Sequence, residues 1–249
     1  MLILPEYLLI KDIVPKGACF ESANFIGVDF TGVSFAGDNF NLKSAILVNA
    51  NFAGVNLGRF DLSEANLLDC NFTGVDMRSV ILPKVLSGVN FTRANLSKLD
   101  LSQMKLENVD FTGAYLERVK FPVDLSASNF TGAVFGDMNL TGKNFTDSDL
   151  SGVDLRLVNL SGANMTRANL ANCKLPRDLS STILEFSGFD LSHHIFGSVD
   201  LTNANLRDAK LPRDWMSAKS TACTAKPWAP SSFPPSPPLI PPFRRPSKT

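Results

Sequence analysis

The sequence predicts a solenoid whose chain turns a corner every five residues, and three observations predict it. Large apolar residues recur at a spacing of five, a small residue sits two places before most of them, and Asn or Asp usually stands directly before them. An amphipathic helix needs apolar residues every 3.6 positions and a half-buried strand every two, so a sustained period of five fits neither. Two inward positions in five mean that the chain bends once per unit. The composition agrees: 19 Phe stand against 2 Trp and 2 Tyr, a one-sided choice expected when one interior shape is repeated.

The first block has centres Phe20, Phe25, Phe30, Phe35 and Phe40. The register then slips by two, and a second block runs from Leu47 to Leu82. After residues 85–88 a third runs from Phe91 to Phe121, after 124–127 a fourth from Phe130 to Leu175, and after 178–183 a fifth from Phe186 to Leu211. All thirty-six centres are Leu, Phe or Met. The preceding small residue is mostly Ala or Val, with Cys70 and Cys173 as variants; Ala23-Asn24-Phe25-Ile26-Gly27 gives the form. A narrow interior holds stacked Phe and Leu only if the neighbouring inward residues are small. Asn and Asp suit the corners because their side chains bond nearby backbone amides. Lys143 and Asp38 occupy the small-residue slot, where an unpaired charge is costly, so both are expected at deformed corners that reach solvent.

These units resemble the A(D/N)LXX repeats of the pentapeptide-repeat family over residues 18–213. The resemblance implies an all-β fold, a right-handed quadrilateral β-helix with four units per coil. Thirty-six units then give about nine coils and a rod roughly 43 Å long at the ~4.8 Å strand spacing. Residues 1–17, with Pro5 suited to a first helical turn, are expected to cap the N-terminal end. Residues 214–249 hold a C-terminal cap remnant around Trp215 and Met216, then a Pro-rich tail with nine Pro in 227–249, expected to be disordered and polyproline-like. The resemblance also implies a non-enzymatic role in binding. Related bacterial effectors use a similar β-helix for recognition, and other relatives bind and protect DNA gyrase by mimicking DNA.

Charge limits the partners. The whole chain has 24 Lys plus Arg and 24 Asp plus Glu, and 18–213 has seventeen against twenty-one. That balance speaks against direct nucleic-acid binding and makes a weak electrostatic case for a DNA mimic, so a protein partner leads and gyrase is the alternative. Residues 2–10 are apolar but interrupted by Pro5 and Glu6, too short for a membrane span and without a signal-peptide layout. The expectation is a cytoplasmic protein, with export as an effector as the variant. Four Cys without paired short spacing make no zinc site or disulfide framework. His193 and His194 have no evident partners, so no catalytic, cofactor or metal residue is expected.

The breaks are where specificity is expected. Leu82, Phe121, Leu175 and Leu211 are each followed by Pro, which removes an amide donor and interrupts a ladder. If 85–88 replaces one five-residue side, the units of Leu82 and Phe121 lie eight sides apart, and the two four-residue breaks share a face two coils apart. The candidate protein-binding strip is then Lys84, Val85, Leu86, Ser87, Lys120, Asp124, Leu125 and Ser126.

Overall fold

The computed structural model describes residues 19–33, 35, 41–176 and 210–211. The expected N-terminal cap, the C-terminal tail, Phe40, Asp38, Cys223, both His and nearly all of the fifth block lie outside the described residues. Along most of the rod, the residue before a centre forms a parallel bridge to its counterpart one coil on, as in Ile46–Asn66, Asn51–Asn71 and Asp61–Ile81. The offset is twenty residues, which is four units, so the chain is a β-helix with four sides.

The first side carries the centres Phe20, Leu42, Leu62, Leu82, Leu101, Phe121, Leu140 and Leu160. The second carries Phe25, Leu47, Leu67, Leu86, Leu106, Leu125, Phe145 and Met165. The third carries Phe30, Phe52, Phe72, Phe91, Phe111, Phe130, Leu150 and Leu170, and the fourth Phe35, Leu57, Met77, Leu96, Leu116, Phe135, Leu155 and Leu175. Nearly all are buried, as are the small residues before them. On the third side six Phe rings form a column, with successive centroids 4.5, 5.2, 5.8, 5.8 and 5.1 Å apart and planes within 17° of parallel. Such contacts add to area burial.

Most corners are β-turns. The centre's C=O accepts the N–H three residues on, as in Ala65 N to Leu62 O at 3.0 Å. The residue two after the centre takes a positive φ, for example Arg93 at 55° and Lys98 at 70°. That left-handed position explains why Gly recurs there. The Asn or Asp before the centre closes the corner from outside by accepting the N–H two residues on, as Asp100 does from Ser102 at 3.1 Å. Inward polar atoms are satisfied too. Cys70, Cys173, Ser128 and Ser148 each donate to the carbonyl of a Leu centre in the preceding coil, at 2.7–3.0 Å. Among the described residues no buried side-chain N or O lacks a hydrogen bond.

Three coils depart from twenty residues. Cys19–Asn41 spans twenty-two, and Leu42, rather than a residue in the phase of Phe40, is the next centre on the first side. Asn71–Asn90 and Asp110–Asn129 each span nineteen. One residue has been lost at each break, because only three residues join Leu82 to Leu86 and Phe121 to Leu125. The expectation that each break replaces one side, and that the two share a face, agrees with this register. The breaks are not gaps in the core, however: Leu86 and Leu125 are centres in their own right, each fully buried.

Candidate protein-binding surface

The two shortened corners join the first side to the second. In an unshortened coil the slot before the second-side centre holds Ala45, Ala65 or Ala163, whose N–H closes the turn. The shortened side lacks that residue. In the coil after each break the slot instead holds a long side chain, Met104 after the first and Lys143 after the second. Met104 is partly buried against the core. Lys143 Nζ donates to Phe121 O at 2.8 Å and remains partly open to solvent. The expectation for Lys143 is met in part: its own corner is a regular β-turn, with Lys143 N donating to Leu140 O at 3.2 Å, but its ammonium supplies a donor to a carbonyl whose turn has been removed, and the residue is partly open to solvent.

The structure divides the eight residues of the candidate strip. Leu86 and Leu125 are 0% exposed and cannot touch a partner; the sequence phase hid them because a lost residue moves the centre by one. Lys120 lies on the first side and pairs with Asp100 at 3.1 Å. Asp124 accepts from Ser126 N at 3.1 Å and Asn144 Nδ2 at 3.0 Å. The Ser126 hydroxyl and N–H, with the Asn144 amide, hold its carboxyl below the usual range. The second break is therefore internally satisfied. At the first break Lys84 and Val85 are exposed and Ser87 partly so. Gly88 is required there: its φ is +69°, and a Cβ would lie 1.9 Å from Asp69 Oδ1 of the preceding coil.

Val85 belongs to a surface that the sequence strip did not include. On the second side, before the first break, the outward positions beside the centres hold Ile26, Ile46, Val48 and Leu68 where the pattern has Asn, Asp, Ser or Thr. Ile26 is 46% exposed, Leu68 43% and Val85 51%. Ile26, Val48 and Leu68 follow one another in the same position on successive coils, and Ile46 and Val85 stand one and three coils along the neighbouring column. Ile26, Val48 and Leu68 are about 4.8 Å apart from one coil to the next, the strand spacing, whereas Ile46 and Val85 are two coils apart with Asn66 between them. The signal was present in the sequence as apolar residues in polar slots, but only the twenty-residue register reveals that they share a side.

The third side contrasts with this strip. Its outward polar groups bond to one another. Thr73, Thr112 and Thr131 each donate to the Asn or Asp two residues before at 2.6–2.7 Å. Asn71 Nδ2 donates to Asn51 and Asn51 Nδ2 to Asp29 along the rod.

Among the described residues no group of three His, Cys, Asp or Glu could hold a metal ion, and no helix is long and apolar enough to cross a membrane. Burial pushes the Cys70 and Cys173 thiols up to about 12, so both behave as small apolar residues.

A family profile for pentapeptide repeats matches residues 45–82, 85–121, 123–156 and 139–177, in 8 copies. Among solved structures the chain is similar to HetL, a pentapeptide repeat protein involved in heterocyst differentiation regulation in the cyanobacterium Nostoc sp. strain PCC 7120. That match has 26% identity over 84% of this chain and 87% of HetL, with a TM-score of 0.29. It is also similar to full-length QnrB1, a plasmid-mediated fluoroquinolone resistance protein, at 16% identity over 81% of this chain and 83% of that one, with a TM-score of 0.29. No curated protein matches at a significant level. With more than half of its length matched by the family profile and four units in every coil, the chain belongs to the pentapeptide-repeat family.

Proposed function

We propose that this protein is a non-enzymatic scaffold that binds a protein partner along its second side. The carrying observation is the apolar strip of Ile26, Ile46, Val48, Leu68 and Val85 on an otherwise polar face. Contiguous exposed aliphatic surface on a soluble protein marks an interaction site, and covering each half-exposed Leu or Ile is worth on the order of 1 kcal/mol. The rod presents the strip without an ordering cost, because the side chains stand on a fully packed core. The shortened corner at Val85 ends the strip and gives it shape.

The competing reading is a DNA-like rod presented to gyrase. It is favoured less by the charges: Glu64, Asp76, Asp100, Asp147 and Asp154 are already paired with Lys or Arg. Two measurements separate the readings. Binding of a partner captured by the wild type should be lost in a Leu68→Asp, Val85→Asp double variant that melts like the wild type. With this protein at stoichiometric amounts, purified gyrase should supercoil DNA at its normal rate and stay as sensitive to a quinolone as it is alone. Partner binding that survives the double variant would refute the second-side reading, and a gyrase effect would favour the mimic.

A further inference from the structure

The four sides differ in charge. Among the described residues the second side has two Lys or Arg against four Asp or Glu, the third has one against three, and the first is even. The fourth side reverses the sign, with six basic residues against four acidic. Arg78 and Arg156 are held by Asp76 and Asp154 at 2.7 Å. Lys98 and Arg118 make no ion pair among the described residues. They occupy the same corner position on successive coils, since Lys98 N donates to Glu117 O, so the two cations leave the rod about 4.8 Å apart. Glu117 and Asp137 are the acidic residues nearest to them on this side; neither pairs with them, and the side as a whole keeps an excess of two positive charges.

Beside the cations lies apolar surface. Tyr115 is 52% exposed and is the one exposed aromatic ring among the described residues. It bridges to Val134 in the next coil. Beyond Val134, a recess of about 850 Å³ is lined by Val134, Leu157 and Arg156 over a floor that includes Gly132, Gly136 and Gly152. Leu157 is 75% exposed at its edge. From the coil of Lys98 to that of Leu157 is three steps along the axis, about 14 Å, the length of four to five extended residues.

We propose that the fourth side is a second docking site, for an extended acidic segment of a protein partner. Carboxylates of that segment meet Lys98 and Arg118, its backbone crosses Tyr115, and an aliphatic side chain about four residues away enters the recess between Val134 and Leu157. A nucleic-acid strand would also meet the cations, but it offers nothing of matching chemistry to the aliphatic recess. The site shares no residue with the second-side strip and does not depend on it.

The probes are a fluorescein-labelled decapeptide with Glu-Glu and, four residues on, Leu-Val, together with the same peptide in reverse order. Fluorescence anisotropy with the full chain should give saturable binding of one of them with Kd below about 1 mM. Affinity should fall at least tenfold in a Lys98→Glu, Arg118→Glu variant and at least threefold in Leu157→Asp, with unchanged circular dichroism. The Leu68→Asp, Val85→Asp variant should bind the decapeptide as the wild type does, which keeps this test apart from that of the second side. No saturable binding of either decapeptide, equal affinity in the charge-reversed variant, or tighter binding of a single-stranded oligonucleotide of ten thymidines would overturn the proposal.

Discussion

The third side and the part of the second side up to the first break are built from the same unit and end in opposite surface chemistry. The third keeps one large residue type through six consecutive coils, so its rings stack without a break. Its outer Asn, Asp and Thr residues bond to one another. The second side bears the two lost residues, the glycine that Asp69 overhangs, and aliphatic residues in outward slots. The difference teaches that a repeat fold separates its tasks by side. One face can hold the register of the rod, which frees another to give up the polar pattern and shorten its corners.

The largest expected effect breaks the rigid half of that comparison. Phe111 touches Phe91 and Phe130 in the column and Phe121 at its edge. Phe111→Ala should cost about 3–5 kcal/mol, read by denaturant unfolding with a probe in the same block, since repeat arrays open locally. A loss below about 1 kcal/mol would mean that the column does not hold the coils together.

A smaller effect tests the shortened corner. If Lys143 fills a slot and caps the Phe121 carbonyl, Lys143→Ala should destabilise by about 1–3 kcal/mol, although Ala163 occupies the same slot one coil on without harm. Lys143→Met should recover part of that loss by restoring volume, as Met104 does at the first break. Equal stability of all three proteins would show that the corner needs no filling.

The corner carboxylates give a pH dependence. Ser63 and Ser102, through hydroxyl and then N–H, hold Asp61 and Asp100 below the ordinary value of 3.8, and Lys120 helps bring Asp100 to about 2. A depressed folded value favours the charged, folded form, so this stabilisation is present above the ordinary value and lost as pH falls toward the lowered ones. Both groups are exposed, so solvent screens the effect. Thermal midpoints should hold steady from pH 7 to 5 and decline gradually from pH 4 to 2. A decline confined to the neutral range would assign it to other groups.

The smallest effect is chemical. Alkylation of the native protein at pH 8 should label the exposed Cys19 and spare Cys70 and Cys173, whose thiols are buried. Peptide mapping that finds either buried thiol modified in the native state would show that the core opens more freely than its packing suggests.

Much of this organisation is legible in the sequence. The period, the inward residues and the corner role of Asn and Asp follow from spacing alone. Asp124-Leu125-Ser126-Ala127 is a regular unit in plain view, displaced by one residue, yet a fixed phase of five passes over it. Leu86 is harder to see, because Val85 replaces the usual Asn or Asp. The proposed binding surface is least legible. Ile26, Val48 and Leu68 are more than twenty residues apart at the first step and twenty at the second, so their alignment depends on where residues are gained in the coil from Cys19 to Asn41. Tyr115 and Val134 meet only because the second break shortens their coil to nineteen.

The central claim is that the second side, and not the third, is the recognition surface. Its most direct measurement places a photo-crosslinking benzoylphenylalanine at Leu68 in one protein and at Thr112 in another, with irradiation in lysate of the producing organism. The account expects one discrete protein adduct from position 68, suppressed by excess unlabelled wild type but not by the Leu68→Asp, Val85→Asp variant, and no such adduct from position 112. The same adduct from both positions, or competition by the double variant equal to that by the wild type, would contradict it.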